Sequence, residues 1–342
     1  MRRARAMQAL LHNREEQMLE WTGERFLPWL DEPAMAYEHL HRYAYAAQFV
    51  RNKCVLDMAS GEGYGADLLA GTAAWTVGID YDEAAVRHAV SRYARANLQY
   101  LCGSITSVPI RGVFDVIVCF EAIEHIEHQE LLLEEVKRLL TPEGLFIAST
   151  PNKTLYRQSD KENRYHVREL SRREFKELIG RHFHNVMWFG QRTHPHSNIW
   201  PLTRAGNHGA VQEQIVDRQD GEFAFISQER RSPLYMIALA SDSTIPQAAG
   251  SILVDHSDGL FRQKDSAIEW RTEQVAERDR EIRSLMERIH AQTVEILRQE
   301  AEIARQKHII DQILHSRSWR LTAPLRSLKK RLQKYWRIGS GR

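Results

Sequence analysis

The chain has 342 residues, more than one typical domain, and 43% of them are apolar, enough for a real core. Its 47 Lys and Arg nearly cancel its 45 Asp and Glu, so bulk charge singles out no partner. Nowhere do some 18 apolar residues run together, which excludes a membrane-spanning helix. The first residues, MRRARAMQALLHNREE, are basic but carry no long apolar stretch or small-residue cleavage site, so they read as a basic helical segment over 1–21 and not as a secretory signal. Cys54, Cys102 and Cys119 lie in or beside apolar strand-like runs at no metal-ligand spacing, and are expected as buried free thiols in a reducing compartment.

From residue 22 to 241 short apolar runs alternate with amphipathic stretches, the pattern of an α/β sheet domain. CVLDMA, WTVGID, LQYLCG, FDVIVCF, GLFIAST, NVMWFGQ and PLYMIALA read as strands. DEAAVRHAVSRYARA and HQELLLEEVKRLL read as helices, the second stopped by TPEG. THPH at 193–196 reads as a loop with incidental histidines.

The stretch VLDMASGEGYG places Asp57 at a strand end and small residues at 59, 61, 63 and 65. Glycines there allow a tight turn and let a ligand lie against the backbone. A phosphate-binding P-loop would end in Gly-Lys-Ser/Thr, which is absent. Asp80 closes the next strand 17 residues after Gly63, where a carboxylate can accept both hydroxyls of an adenosine ribose. Further on, FEAIEHIEH sets Glu121, Glu124 and His125 at i, i+3 and i+4, which share one face if the segment is helical. A bland reading makes them an acidic helix start with a packed histidine. A sharper one makes them an O/N site for Mg²⁺ or Mn²⁺, distinct from zincins, whose motif has a histidine at both ends.

These segments together resemble the class I S-adenosylmethionine-dependent methyltransferases, through VLDMASGEGYG, VGIDYDEAAVRHA, FDVIVCFEAIEHI and LLTPEGLFIASTPN. The resemblance implies a Rossmann-like seven-stranded α/β sheet with a reversed last strand, supplied by PLYMIALA. It implies S-adenosyl-L-methionine as cofactor, with Asp57, Ala59, Gly61 and Gly63 along its methionine end, Asp80 on the ribose, and Ser104 and Ile105 beside the adenine. Arg42 or Tyr43, in EHLHRY before the glycine loop, is a candidate contact to the methionine carboxylate. FEAIEH, STPN and RYHVRELSRREF also look like metal-dependent O-methyltransferases. That likeness makes Glu121, Glu124, His125 and His166 the ligands of a Mg²⁺ or Mn²⁺ ion. Without metal, His125 or His166 serves as general base.

A polar stretch over 242–260 reads as a linker. Beyond it Ile268, Val275, Ile282, Ile289, Ile296, Ile303 and Ile310 recur at seven-residue spacing, the a-position ladder of a coiled coil over 261–316, about 70 Å long. Leu285 and Ile313 at d are apolar but Gln292, Gln299 and Gln306 are not; the pattern implies a homo-oligomer, with a trimer favoured. The last segment, 317–342, carries nine Lys or Arg and no acid, with Leu325, Leu328, Leu332 and Trp336 on one helical face. That composition suits an anionic membrane surface better than nucleic acid. A rod with such a tail is similar to bacterial surface-polysaccharide (O-antigen) methyltransferases carrying a coiled coil. The expected acceptor is therefore a sugar hydroxyl on a glycan or lipid-linked glycan. The expected place is the inner face of the bacterial cytoplasmic membrane, with glycosyltransferases as neighbours. The alternatives are a soluble methyltransferase of a catechol- or quinone-like molecule and a non-catalytic scaffold.

Overall fold

The computed structural model describes residues 19, 21, 25–30, 32–156, 163, 165–198, 213–219, 222–226 and 232–339. The expected N-terminal helical segment lies outside the described residues except for Leu19 and Trp21. Contacts divide the chain into two units, 1–263 and 264–342.

In the first unit all seven expected strands form one sheet. They are β1 (Cys54–Met58), β2 (Trp75–Asp80), β3 (Leu98–Cys102), β4 (Phe114–Phe120), β5 (Leu140–Pro151), β6 (Asn185–Gln191) and, after an inserted hairpin, β9 (Tyr235–Ser241). The order is β3-β2-β1-β4-β5-β9-β6. The first five strands run parallel, while β9 pairs antiparallel with both β5 and β6. This is the Rossmann-like seven-stranded sheet with a reversed strand. The hairpin, β7 (Ile215–Gln219) and β8 (Glu222–Ile226), was not foreseen. TPEG follows the end of the preceding helix at Leu139, as expected, and belongs to β5, whose Leu140 pairs with Phe114 before a register shift.

Helices cover both faces because the central strands are apolar on both. On one side Leu56, Ile117 and Phe146 pack with α4 (Gln129–Leu139) and α6 (Arg172–Gly180) through Leu132, Val136 and Phe175. On the other, Val55, Val118 and Ile147 pack with α1 (Pro33–Ala46) and α2 (Tyr64–Ala70) through Tyr43, Tyr45 and Leu69. Helix α3 (Glu83–Arg92) starts on the Asp82 side chain, and a short α5 (Lys153–Tyr156) follows β5. Ser171 and Glu174 form a reciprocal capping box at the start of α6, the S-x-x-E signature within RELSRREF. Of the three thiols only Cys119 is buried; Cys54 is half-buried and Cys102, beyond the last inward position of β3, is exposed.

Strand order reverses direction between β1 and β4, with β2 and β3 to one side and β5, β9 and β6 to the other. A ligand crevice is expected outside the carboxyl ends of the strands at that switch point. Two non-glycine residues sit at positive φ there, Ala59 (61°) just after β1 and Glu121 (49°) just after β4.

The second unit is helical. Helix α7 runs without interruption from Gly259 to His315, 57 residues or about 85 Å, and no side chain in it is buried. Ser316 then accepts from the Trp319 N–H and starts α8 (Arg317–Leu321), and α9 (Ala323–Gly339) follows after Thr322.

Candidate active site

The glycine loop leaves β1 in left-handed conformations at Ala59, Gly61 (58°) and Gly63 (101°). Its backbone is held from β2: the Ser60 N–H donates to the Ile79 carbonyl (3.0 Å) and the Gly61 N–H to Asp80 Oδ2 (2.8 Å). The glycines have separate reasons to be there. A Cβ on Gly63 would lie 2.6 Å from that of Ala89, and one on Gly65 2.0 Å from the Tyr43 ring, so these two permit helix packing. Over Gly61 the nearest atoms belong to the long Arg25 side chain at 3.7 Å, so this part of the loop faces a space that a flexible side chain holds.

Asp80 also accepts from the Asp82 N–H (3.0 Å), and Arg25 pairs with Asp82 (3.0 Å) while lying 3.9 Å from Asp80. Each Asp80 oxygen still has acceptor capacity, because an ionised carboxylate offers about four sites. Arg25 was not foreseen. A lone arginine 32 residues before Asp57 carries no local signal. Glu62 was not singled out either. It is fully buried and anchors the loop by accepting from His88 Nε2 and the Tyr93 hydroxyl, both at 2.7 Å.

Asp57 is fully buried on the same face as Tyr43, whose hydroxyl donates to both its oxygens (3.1 and 3.2 Å). Burial pushes its carboxyl up to about 8, with the Asp80 charge adding to the rise and the Tyr43 bond opposing it. Of the two residues proposed for a methionine carboxylate, Tyr43 thus holds Asp57. Arg42 points its Nη1 to Gln191 (2.8 Å) and lies 3.9 Å from Glu121, its Nε and Nη2 unpartnered. Ser104 and Ile105 follow β3; Ser104 is exposed and bonded to Thr106 (2.8 Å), and Ile105 packs on the core.

A second group assembles beyond β4. FEAIEH does not form the one-faced helix that its spacing suggests. Positive φ at Glu121 turns the chain, and only a single 3₁₀ turn, Ile123–His125, follows. Glu121 accordingly accepts from Ser149 Oγ (2.7 Å) and does not join the cluster of ligand atoms that the other three expected ligands form. Glu124 is fully buried: Thr150 donates to Oε2 (3.0 Å), and Oε1 has no hydrogen-bond partner. Burial, then the nearby Glu121 charge, pushes the Glu124 carboxyl far above its ordinary range.

His166 arrives from 42 residues away because the Glu124 carbonyl accepts from the N–H groups of Val167 (2.9 Å) and Arg168 (3.0 Å). The His125 and His166 rings meet edge to face at 5.1 Å. Among the described residues, Glu124, His125 and His166 each present a ligand atom, all within 4.8 Å of one another. His125 Nδ1 lies 2.9 Å from the Tyr165 carbonyl and His166 Nδ1 2.9 Å from Glu169 Oε1. An Nδ1–H donated outward leaves the lone pair on Nε2, the arrangement in which histidine ligates metals. One carboxylate with an orphaned buried oxygen and two oriented imidazoles therefore fit a divalent cation. THPH is an exposed loop, as expected.

Residues 56–148 match the model of a family described as "Methyltransferase domain". This segment is similar to S-adenosylmethionine-dependent methyltransferase domains. S-adenosyl-L-methionine is the cofactor these matches support, and the loop at Gly61 beside Asp80, covered only by the flexible Arg25 side chain, fits that ligand. A probable S-adenosylmethionine-dependent methyltransferase of Mycolicibacterium smegmatis is 38% identical over 168 residues, 47% of this chain and 63% of that protein. A ubiquinone biosynthesis O-methyltransferase of Haemophilus ducreyi is 28% identical over 162 residues, 42% of this chain and 68% of that one. The N-methyltransferase NodS of Bradyrhizobium japonicum, solved with S-adenosyl-L-homocysteine, aligns over 63% of this chain and 92% of its own at 14% identity and a TM-score of 0.42. The chain spans about three fifths of the length of the first curated relatives it matches.

Proposed function

We propose that the protein is an O-methyltransferase that activates a hydroxyl at Glu124, His125 and His166, assisted by a divalent cation. The observation that carries this reading is the cluster itself, three ligand atoms within 4.8 Å of one another around a buried carboxylate with an orphaned oxygen. A hydroxyl is a weak nucleophile at neutral pH, and a bound cation would lower its pKa. The protein's own residues orient the acceptor oxygen toward the sulfonium methyl. With the cation held at both Nε2 atoms the acidified hydroxyl would give its proton to solvent, whereas without a cation His125 or His166 takes it on Nε2 as the methyl–sulfur bond breaks. The ubiquinone relative is itself named an O-methyltransferase, which agrees with oxygen as acceptor atom.

The acceptor we infer is a sugar hydroxyl of a membrane-associated glycan, with the protein peripheral to the membrane. The support is α9, whose Leu325, Leu328 and Leu332 are exposed on one face among Arg326, Lys329, Lys330 and Arg331. No helix among the described residues is long and apolar enough to cross a membrane. An interfacial helix gives such a protein a way to reach a lipid-linked substrate.

Labelled S-adenosylmethionine incubated with native membranes tests both parts. Label is expected in the lipid-linked glycan, lost with EDTA and restored by Mn²⁺. Glu124→Gln is expected to lower transfer about 10²-fold or more while cofactor affinity stays within twofold. Label confined to small soluble products would favour a catechol- or quinone-like acceptor, and EDTA-insensitive transfer would remove the cation.

A further inference from the structure

We propose that α7 is an interface for a second copy of this chain, aligned parallel and in register along a seam from Ile282 to Leu314. The proposal is independent of the acceptor. It starts from an unpartnered surface: from Leu285 to Leu314 the apolar seam positions are each 45–65% exposed on a helix that buries nothing. A monomeric surface helix would turn such a stripe toward its own domain.

The order of residue types along the seam selects the occupant. In a parallel in-register pair each a residue meets its own counterpart, and each d residue likewise. Isoleucine then meets isoleucine at 289, 296 and 303, and glutamine meets glutamine at 292, 299 and 306, where one amide can donate to the other. An antiparallel pair packs a against d. Those three isoleucines would then face the three glutamines, whose amides would be buried against hydrocarbon without partners. Sorting of like with like thus points both to identical chains and to parallel alignment.

The flanking positions agree. Glu302 at g is followed by Lys307 at e, the spacing that brings opposite charges together between parallel chains, and the last heptad is closed by Ile309, Ile313 and Leu314. Glu295 and Glu300 bear like charge at the equivalent spacing, which weakens that heptad. Arg271 and Arg278 occupy the first two d positions, where identical chains would place arginine against arginine. The seam therefore begins after them, near Ile282, although the ladder begins at Ile268.

Full-length chain carrying Cys102→Ser, to remove the exposed thiol, supplies the test. Sedimentation equilibrium is expected to give an integral multiple of the chain mass, and Ile296→Asp with Ile303→Asp is expected to give the single-chain mass. Cofactor binding by that variant, unchanged, shows that its methyltransferase domain is folded. Mild oxidation of Gln299→Cys is expected to join chains at least tenfold faster than Ala301→Cys, which lies on the opposite face of the helix. A monomeric parent chain overturns the proposal and leaves the stripe to a different protein. An oligomer that survives both aspartates, or that cross-links equally at 299 and 301, overturns the seam.

Discussion

Asp57 shows how one residue's burial becomes a property of the whole domain. Its carboxyl titrates near 8 in the fold and near 4 in an unfolded chain, so between those values the folded state holds the extra proton. The stability it allows is fully present below about pH 4 and is lost as pH rises through about 8. The slope is at most about 1.4 kcal/mol per pH unit, one proton's worth. Thermal melts of the cofactor-free protein from pH 5 to 9 are expected to show this fall, and Asp57→Asn should flatten it. An unchanged slope in the variant would assign the effect to other groups. At this scale the sequence was legible where chemistry is local. Asp57, Asp80, Glu124 and His125 stand out by spacing, and His166 by likeness to a family motif. Arg25, Glu62 and Thr150 did not, since their roles come from contacts across 26 to 57 residues that leave no periodic trace. Glu121 misled because its spacing assumed a helix that a left-handed residue prevents.

Among elements, the sheet was easy to read and its decorations were not. Strands buried on both faces are short continuous apolar runs, and the parallel β1, β2 and β4, the second part of β5 and the antiparallel β9 have that form. The β7–β8 hairpin is not legible in the sequence: its Val216, Phe223 and Phe225 are exposed, and among the described residues none of its side chains belongs to a core cluster. The glycine pattern in the sequence points to a ligand throughout, whereas in the fold Gly63 and Gly65 let α2 approach α3 and α1. Gly65→Ala tests that division of labour. Its new methyl would enter the Tyr43 ring, forcing α1 from α2 and loosening the hydroxyl from Asp57. A loss of about 2–3 kcal/mol in urea unfolding is expected, together with weaker cofactor binding. Adding Tyr43→Phe to Gly65→Ala should give back little, because the clash is with ring carbons and not with the hydroxyl.

At the scale of the whole chain, near-neutral composition conceals a segregated one. Nine of the basic residues lie in the last 26 positions with no acid among them, so the remainder is slightly acidic. Such a tail binds an anionic surface through two separable forces. Charge attraction contributes about 1 kcal/mol per cation near the lipid and fades as salt shortens the Debye length. Insertion of Leu325, Leu328 and Leu332 contributes through apolar burial, which salt does not screen. Full-length protein is expected to co-sediment with vesicles containing anionic lipid, and to lose most binding on deletion of 317–342. Changing those three leucines to serine keeps every charge. If insertion matters, that variant should bind at least tenfold more weakly in 150 mM salt and nearly normally in 20 mM salt. If α7 also joins chains in parallel, tails from two or more copies act together, and Ile296→Asp with Ile303→Asp should weaken vesicle binding without touching the tail. Binding by the leucine variant that matches the parent protein's at each salt would reduce the tail to a charged patch, and the membrane-bound acceptor would lose its structural support.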